Sequence, residues 1–397
     1  MFRCWFALVP ALCLIIPVSA DDKSKGLDTV VEGRKIADWL KDLAGKDEKK
    51  QEAASEALAN AGKDIVPHLI VGLKHSNAEM REQSAQVLAT IGEEAEEAVN
   101  PLIEALADKT PAVRGAAASA LGSIGAAAKD AVKPLIDLLK DKDEAVQEQA
   151  AHGLGGIGPD AKDAIDPLIA ALKGKLEGLQ EAAAEALGSI GEDAVKAGPD
   201  LLTVLKKTKD ADFKATILRS LGAIGYKEKD GLAALTAGLK DKEDEVRAAA
   251  ATGLGSLGAD AKSAVKPLIA ALKDKSDDVR TAIIGALGEI GEEAKDAVPG
   301  LIDALKDKND DVRSAAATAL GNMGKAAEPA VKPLTEALKD MNEDVRDSAL
   351  NALGSLGPVA KDAIPAIKAL IEKTDDADLK ETANDVIKMI EGKEEKN

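Results

Sequence analysis

Asp241 to Leu272 reads DKEDEVRAAAATGLGSLGADAKSAVKPLIAAL, and the phrase returns from Asp274 to Leu305 as DKSDDVRTAIIGALGEIGEEAKDAVPGLIDAL. It returns again from Asp307 to Leu338. Self-similarity at one fixed period marks a repeat architecture, in which each unit is a supersecondary element stacked on its neighbours.

Three marks carry the register along the chain. The glycine closing ALGxxG falls at Gly62, Gly92, Gly125, Gly158, Gly191, Gly225, Gly258, Gly291, Gly324 and Gly357, at intervals of 30 once and then 33, with a single 34. An Arg, Gln or Lys after the acidic turn falls at Arg81, Arg114, Gln147, Gln180, Lys214, Arg247, Arg280, Arg313, Arg346 and Lys380, with the same period. A proline opens an apolar run at Pro67, Pro101, Pro134, Pro167, Pro267 and Pro333, and one place early at Pro199, Pro299 and Pro365.

Each unit resolves into two helices. In the eighth, Ser263 to Lys273 carries Val265, Leu268, Ile269 and Leu272 at helical spacing, with Pro267 near the start, where a missing N–H costs least. After an acidic turn the second helix places Val279, Ile283, Leu287 and Ile290 on one face, and Gly291 ends it. A glycine recurs inside the second helices, at Gly122, Gly155, Gly188, Gly222, Gly255, Gly288, Gly321 and Gly354. Mid-helix glycine costs about 1 kcal/mol against alanine, so its recurrence predicts close helix packing.

Ala, Leu, Glu, Lys and Asp dominate the composition, which favours helix, and the formal net charge is −18. That balance argues against nucleic acid as a partner. Residues 1–20, MFRCWFALVPALCLIIPVSA, read as a secretory signal peptide cut after Ala20, and both cysteines, Cys4 and Cys13, lie inside it. The expected location is therefore secreted or periplasmic, with no stable membrane insertion after cleavage and no disulfide. Two prolines interrupt the short apolar run, which makes a retained anchor the weaker reading. Residues 21–29 form a polar, flexible lead, 30–391 the array, and 392–397 a charged tail. Val31, Ile36, Leu40 and Leu43 approximate helical spacing, with Trp39 covering the open end.

The pattern VRxxAAxALGxxGxxAxxAVxPLIxAL resembles the short HEAT repeats, a form also met in phycobilin-lyase-like HEAT proteins. The resemblance implies an all-α, right-handed α-solenoid of about eleven helix pairs, with the second helices on the concave side. It also implies a side-chain ladder from a turn Asp to an Arg six residues on, matched by Asp108 and Arg114, Asp241 and Arg247, Asp274 and Arg280, Asp307 and Arg313, and Asp340 and Arg346. Gln147 and Gln180 depart from it. With neighbouring helices about 8–10 Å apart, such an array is on the order of 100 Å long.

Catalytic chemistry is sparse. The histidines His68, His75 and His152 form no metal motif, and His152 is followed by Gly153 where iron-binding HEAT proteins carry Glu. Asp307 opens like a calcium loop, but Val312 stands at the required glycine and Thr318 at the bidentate Glu. Neither a catalytic site nor a metal nor a cofactor is expected, and the expected assembly is a monomer. The stretch from Lys206 to Lys229 is basic and thins the consensus, which reads as a worn repeat, a bend or a docking point.

Binding is the better supported function. One and five residues past the Arg/Gln/Lys mark, side chains vary from unit to unit, and these two places share one face of the second helix. Glu148, His152, Glu181, Glu185 and Arg219 form the candidate protein-binding stretch, on a non-catalytic scaffold whose partners are proteins. The alternative is a lyase-like enzyme or an accessory subunit of an enzyme complex.

Overall fold

The computed structural model describes residues 30–392. Residues 1–29 and 393–397, and with them the signal peptide, the polar lead, both cysteines and all of the charged tail after Gly392, lie outside the described residues. Among the described residues the helices fall in eleven successive units, each a first helix of 7–10 residues, a short turn and a second helix of 13–15 residues.

The repeated residues explain each unit. Gly62, Gly92, Gly125, Gly158, Gly191, Gly225, Gly258, Gly291, Gly324 and Gly357 all hold φ between 53° and 81°, beyond the reach of ordinary L side chains. Each thereby turns the chain out of a second helix. The predicted first helix from Ser263 to Lys273 proves shorter, because Gly258–Ala264 is a tight 3-10 segment and the α-helix runs only over Val265–Ala271. Buried alanines three apart explain the difference: Ala261 and Ala264 are fully buried, as are Ala95 and Ala98, Ala128 and Ala131, and Ala294 and Ala297. Three residues per turn puts both methyl groups on the narrow inner side.

Leu69, Leu102, Leu135, Leu168, Leu201, Leu235, Leu268, Leu301, Leu334 and Ile367 are completely buried, one in each unit from the second to the eleventh, and form a spine between the two helical layers. Each contributes about 2 kcal/mol relative to exposure, but only because the adjoining unit covers it. Val279, Ile283, Leu287 and Ile290 close the eighth unit from the other side as predicted.

Second helices of neighbouring units touch along their length, whereas first helices meet largely through the 3-10 segments. The internal glycines permit that approach: a Cβ added at Gly288 would stand 2.8 Å from Ala319 Cα, and one at Gly122 would stand 2.8 Å from Gly153 Cα. Such close approach suits the inner layer of a curved stack, the side that the resemblance to short HEAT repeats gives the second helices.

Two features depart from expectation. Val31 belongs to no helix: Val30–Val31 and Arg34–Lys35 form an antiparallel hairpin, and the first helix begins at Ile36. Glu32 and Gly33 both take positive φ, the geometry of the tight hairpin turn that suits strand twist. Trp39 fastens the hairpin to the array, donating from Nε1 to the Val31 carbonyl at 2.9 Å while the Arg34 guanidinium lies 4.0 Å above its ring. At the worn repeat, no 3-10 segment precedes the first helix of the seventh unit, Lys229–Gly238. The Tyr226 ring takes that space, set between Gly198 and Gly231, where a Cβ would strike it.

The Asp–Arg ladder is present with different partners. Arg114 Nη1 donates at 2.8 Å to the backbone carbonyl of Asp108 in its own unit, while Nε and Nη2 grip the carboxylate of Asp141 in the next unit at 2.9 and 2.7 Å. The fork needs a carboxylate facing its plane, and the next unit's turn supplies it; the unit's own Asp offers only its carbonyl. Arg81 with Asp108, Arg247 with Asp274, Arg280 with Asp307 and Arg313 with Asp340 repeat the arrangement, always 27 residues apart. Lys214 and Asp241 make a simpler rung of 3.6 Å.

Candidate concave docking surface

On the second helices Ala78–Ile91 through Glu343–Leu356, the ladder position consumes every cation except Arg219. That leaves an inner face whose varied positions carry carboxylates, hydroxyls, amides and no lysine. The fifth place past the mark is exposed at Gln86, His152, Glu185, Arg219, Thr252, Thr318 and Asn351. The first place past it is half-buried at Glu82, Glu148, Glu181, Ala248, Thr281, Ser314 and Asp347.

The five candidate residues come from three consecutive second helices, Glu144–Ile157, Glu177–Ile190 and Ala211–Ala223. They meet across the helices in two linked sets. His152 Nδ1 lies 3.4 Å from Glu185 Oε2. Thr216, which sequence reasoning did not single out, donates from Oγ1 to Glu181 Oε1 at 3.4 Å and accepts from Arg219 Nη2 at 3.4 Å. Glu148 leans over Gly178, which has no side chain to displace it. Two shallow depressions lie between these helices: about 330 Å³ lined by Ser119, His152, Glu185 and Ser189, and about 370 Å³ lined by Glu185, Thr216 and Arg219.

Electrostatics on this face differ from those of the ladder. In the ladder, the Arg81 guanidinium holds the Asp108 carboxyl below its ordinary range, and Arg114 does the same for Asp141. On the inner face, burial and then the charge of Glu79 push Glu82 up, and burial and then Glu343 push Asp347 up. Asp347 Oδ1 is buried without a hydrogen-bond partner. These carboxylates are partly removed from water; no cation of this chain offsets that for Glu82, and the charge of Arg346 offsets it only in part for Asp347, so the face suits contact with donors from outside.

Asp307, which opens the calcium-like turn, spends its carboxylate on Arg280 and on the Asn309 N–H at 3.0 Å. His75 Nδ1 accepts from the Asn77 N–H at 3.1 Å, and His68 is half-buried. Among the described residues no three His, Cys, Asp or Glu side chains gather as a metal site. Among the same residues no helix is long and apolar enough to cross a membrane.

The basic stretch is partly neutralised. Lys214 pairs with Asp241 and Lys227 with Asp260, at 3.6 and 3.0 Å. Lys207 and Lys209 border a larger cavity of about 990 Å³ between the fifth and sixth units. That cavity went unforeseen. Its signal was present in the simultaneous loss of Arg at Gln180 and of Asp at Gly174 and Thr208.

Among solved structures, Kap95p bound to RanGDP is similar, with a TM-score of 0.53 at 15% identity over 89% of this chain and 56% of that one. Importin beta in an ammonium sulfate condition gives 0.53 at 16% identity over 90% of this chain and 55% of that one. The Kap95:Nup1 complex gives 0.51 at 14% identity over 89% and 56%. The chain thus spans little more than half the length of these proteins, and at such identities the likeness is one of fold. No curated protein matches. HEAT repeats match in nine overlapping stretches running from 36–122 to 298–388. A helical solenoid with this register over nearly its whole length is a member of the HEAT-repeat family.

Proposed function

We propose that the protein is a non-catalytic scaffold, secreted or periplasmic, that binds protein partners through its concave face. One observation carries the reading: on a frame that repeats nearly unchanged, the side chains that vary are those presented along the inner face, and Glu148, His152, Glu181, Glu185 and Arg219 lie together there. An extended concave surface built from stacked units is how solenoids recognise other macromolecules. Kap95p, which shares the fold, is seen in complexes with RanGDP and with Nup1.

Crosslinking the protein in its own cell envelope and identifying what is attached tests the reading directly. Glu181→Lys with Glu185→Lys should abolish the crosslinks formed by the native chain. Unchanged recovery of every native partner by that variant would refute docking at this stretch. An N-terminus at Asp21 in the recovered protein would support export, and an intact leader would contradict it.

A further inference from the structure

The joint between the fifth and sixth units is built unlike the other interior joints. Between the second and tenth units, every joint but two has an Arg–Asp fork or the Lys214–Asp241 pair tying one turn to the next. Between the fourth and fifth units the ladder positions hold Gln147 and Gly174, and between the fifth and sixth they hold Gln180 and Thr208. Both glutamines turn back into their own units: Gln147 Nε2 donates to the Asp141 carbonyl at 2.6 Å, and Gln180 Nε2 donates to the carbonyls of Leu172 and Gly174 at 3.0 and 3.2 Å. Cation and carboxylate are missing together, so no charge is orphaned; two successive joints lack the turn-to-turn rung, and beside the second the exposed pair of Lys173 and Asp200, at 3.2 Å, joins only the first helices.

At the second of these joints the turn edge stands open. The 990 Å³ cavity lies there, bordered by Gly174, Gln180, Thr208 and Phe213. The helices Glu177–Ile190 and Ala211–Ala223 also touch less extensively than neighbouring second helices in the rest of the array between the second and tenth units.

The opposite end of the same joint is pinned. Ser220 Oγ donates across to the Ala184 carbonyl at 2.7 Å, and Ser220 is buried. Gly188 admits it closely, since a Cβ there would stand 3.1 Å from Ser220 Cα.

We infer that this joint is the hinge of the solenoid, pivoting on the Ala184, Gly188 and Ser220 contact and opening at the Gln180 and Thr208 edge. Each intact fork supplies two charge-assisted hydrogen bonds from a sheltered guanidinium that resist such a tilt, and this joint has no fork, only the solvent-exposed Lys173–Asp200 pair between its first helices. The pivot lies between Glu185 and Arg219, so the tilt changes the spacing of the docking residues. That consequence rests on the proposed docking function, whereas the hinge itself does not.

Spin-label distance distributions on the full chain test it. Lys175→Cys with Lys209→Cys spans the open joint, and Lys308→Cys with Met341→Cys spans the matching positions of a joint tied by Arg313 and Asp340. The first distribution should be at least about twofold broader than the second. Adding Gln180→Arg and Thr208→Asp, which rebuilds the rung, should narrow it toward the control. Equal widths in the native chain would overturn the hinge, as would a rebuilt rung of native helicity that leaves the width unchanged. Absence of docking at Glu181 and Glu185 would leave these distributions as they are, so the two ideas fail separately.

Discussion

Arg280 and Asp307 stand 27 residues apart and meet through two parallel hydrogen bonds of 2.9 Å, Nε to Oδ2 and Nη2 to Oδ1, with the arginine side chain only 7% exposed. The same guanidinium holds the Asp274 carbonyl of its own unit at 2.9 Å. One side chain thus fixes a turn within a unit and the distance to the next.

Removing that arginine leaves a sheltered carboxylate with one of its partners gone. Arg280→Ala should cost about 2 kcal/mol in urea unfolding, and Gln180→Ala, which crosses no joint, should cost less than about 1 kcal/mol. Similar losses in the two variants would show that the rungs carry no stability between units.

The rungs also set the acid limit. Hydrogen bonding to Arg81, Arg114, Arg247 and Arg313 depresses Asp108, Asp141, Asp274 and Asp340 below their unfolded value of about 3.9. Their contribution is therefore complete above about pH 4 and disappears as pH falls through the lower folded-state values. Melting temperature followed from about pH 7 down to about pH 2 should fall steeply in that acid window, and Asp340→Asn should flatten the fall. An equally steep fall in the variant would contradict the assignment.

Asp347 has the opposite sign. Burial raises its carboxyl, so the folded state is penalised once pH exceeds the unfolded value, and the penalty is gone below it. Asp347→Asn should raise the melting temperature at neutral pH and have little effect at about pH 3. A variant less stable than the parent at neutral pH would mean that the carboxylate has a partner in solution.

Two glycines three residues apart on one helix, Gly285 and Gly288, should behave oppositely. At Gly285 a Cβ meets nothing within 4 Å, so Gly285→Ala should stabilise by about 0.5–1 kcal/mol. At Gly288 it would meet the Ala319 backbone, so Gly288→Ala should destabilise despite the better helix propensity. Equal effects in denaturant melts would remove the packing explanation for the repeated glycine.

The fold was legible because Gly291, Arg280 and Pro267 each mark a place in a unit that then recurs, and recurrence makes weak local signals decisive. The apolar face of Val279, Ile283, Leu287 and Ile290 followed from helical spacing alone. Partners across a joint did not follow, since Asp141 is remote from Arg114 in sequence and only stacking brings them together. The 3-10 segment was hidden because Ala261 and Ala264 suit an α-helix as readily, and the constraint is the narrow space between layers. The hairpin at Val30 turned on two residues, Glu32 and Gly33, too few to outweigh an apparent helical spacing. The inner-face positions were readable because places one and five past the mark share a helix face, whereas Thr216 emerged only from its contacts with Glu181 and Arg219.

Small-angle X-ray scattering of the full chain bears most directly on the claim that each unit borrows its interior from its neighbours. Eleven stacked layers should give a maximum dimension on the order of 100 Å and the pair-distance profile of an elongated, curved rod. A radius of gyration of about 21 Å with a symmetric profile, as for a compact globule of this length, would contradict it.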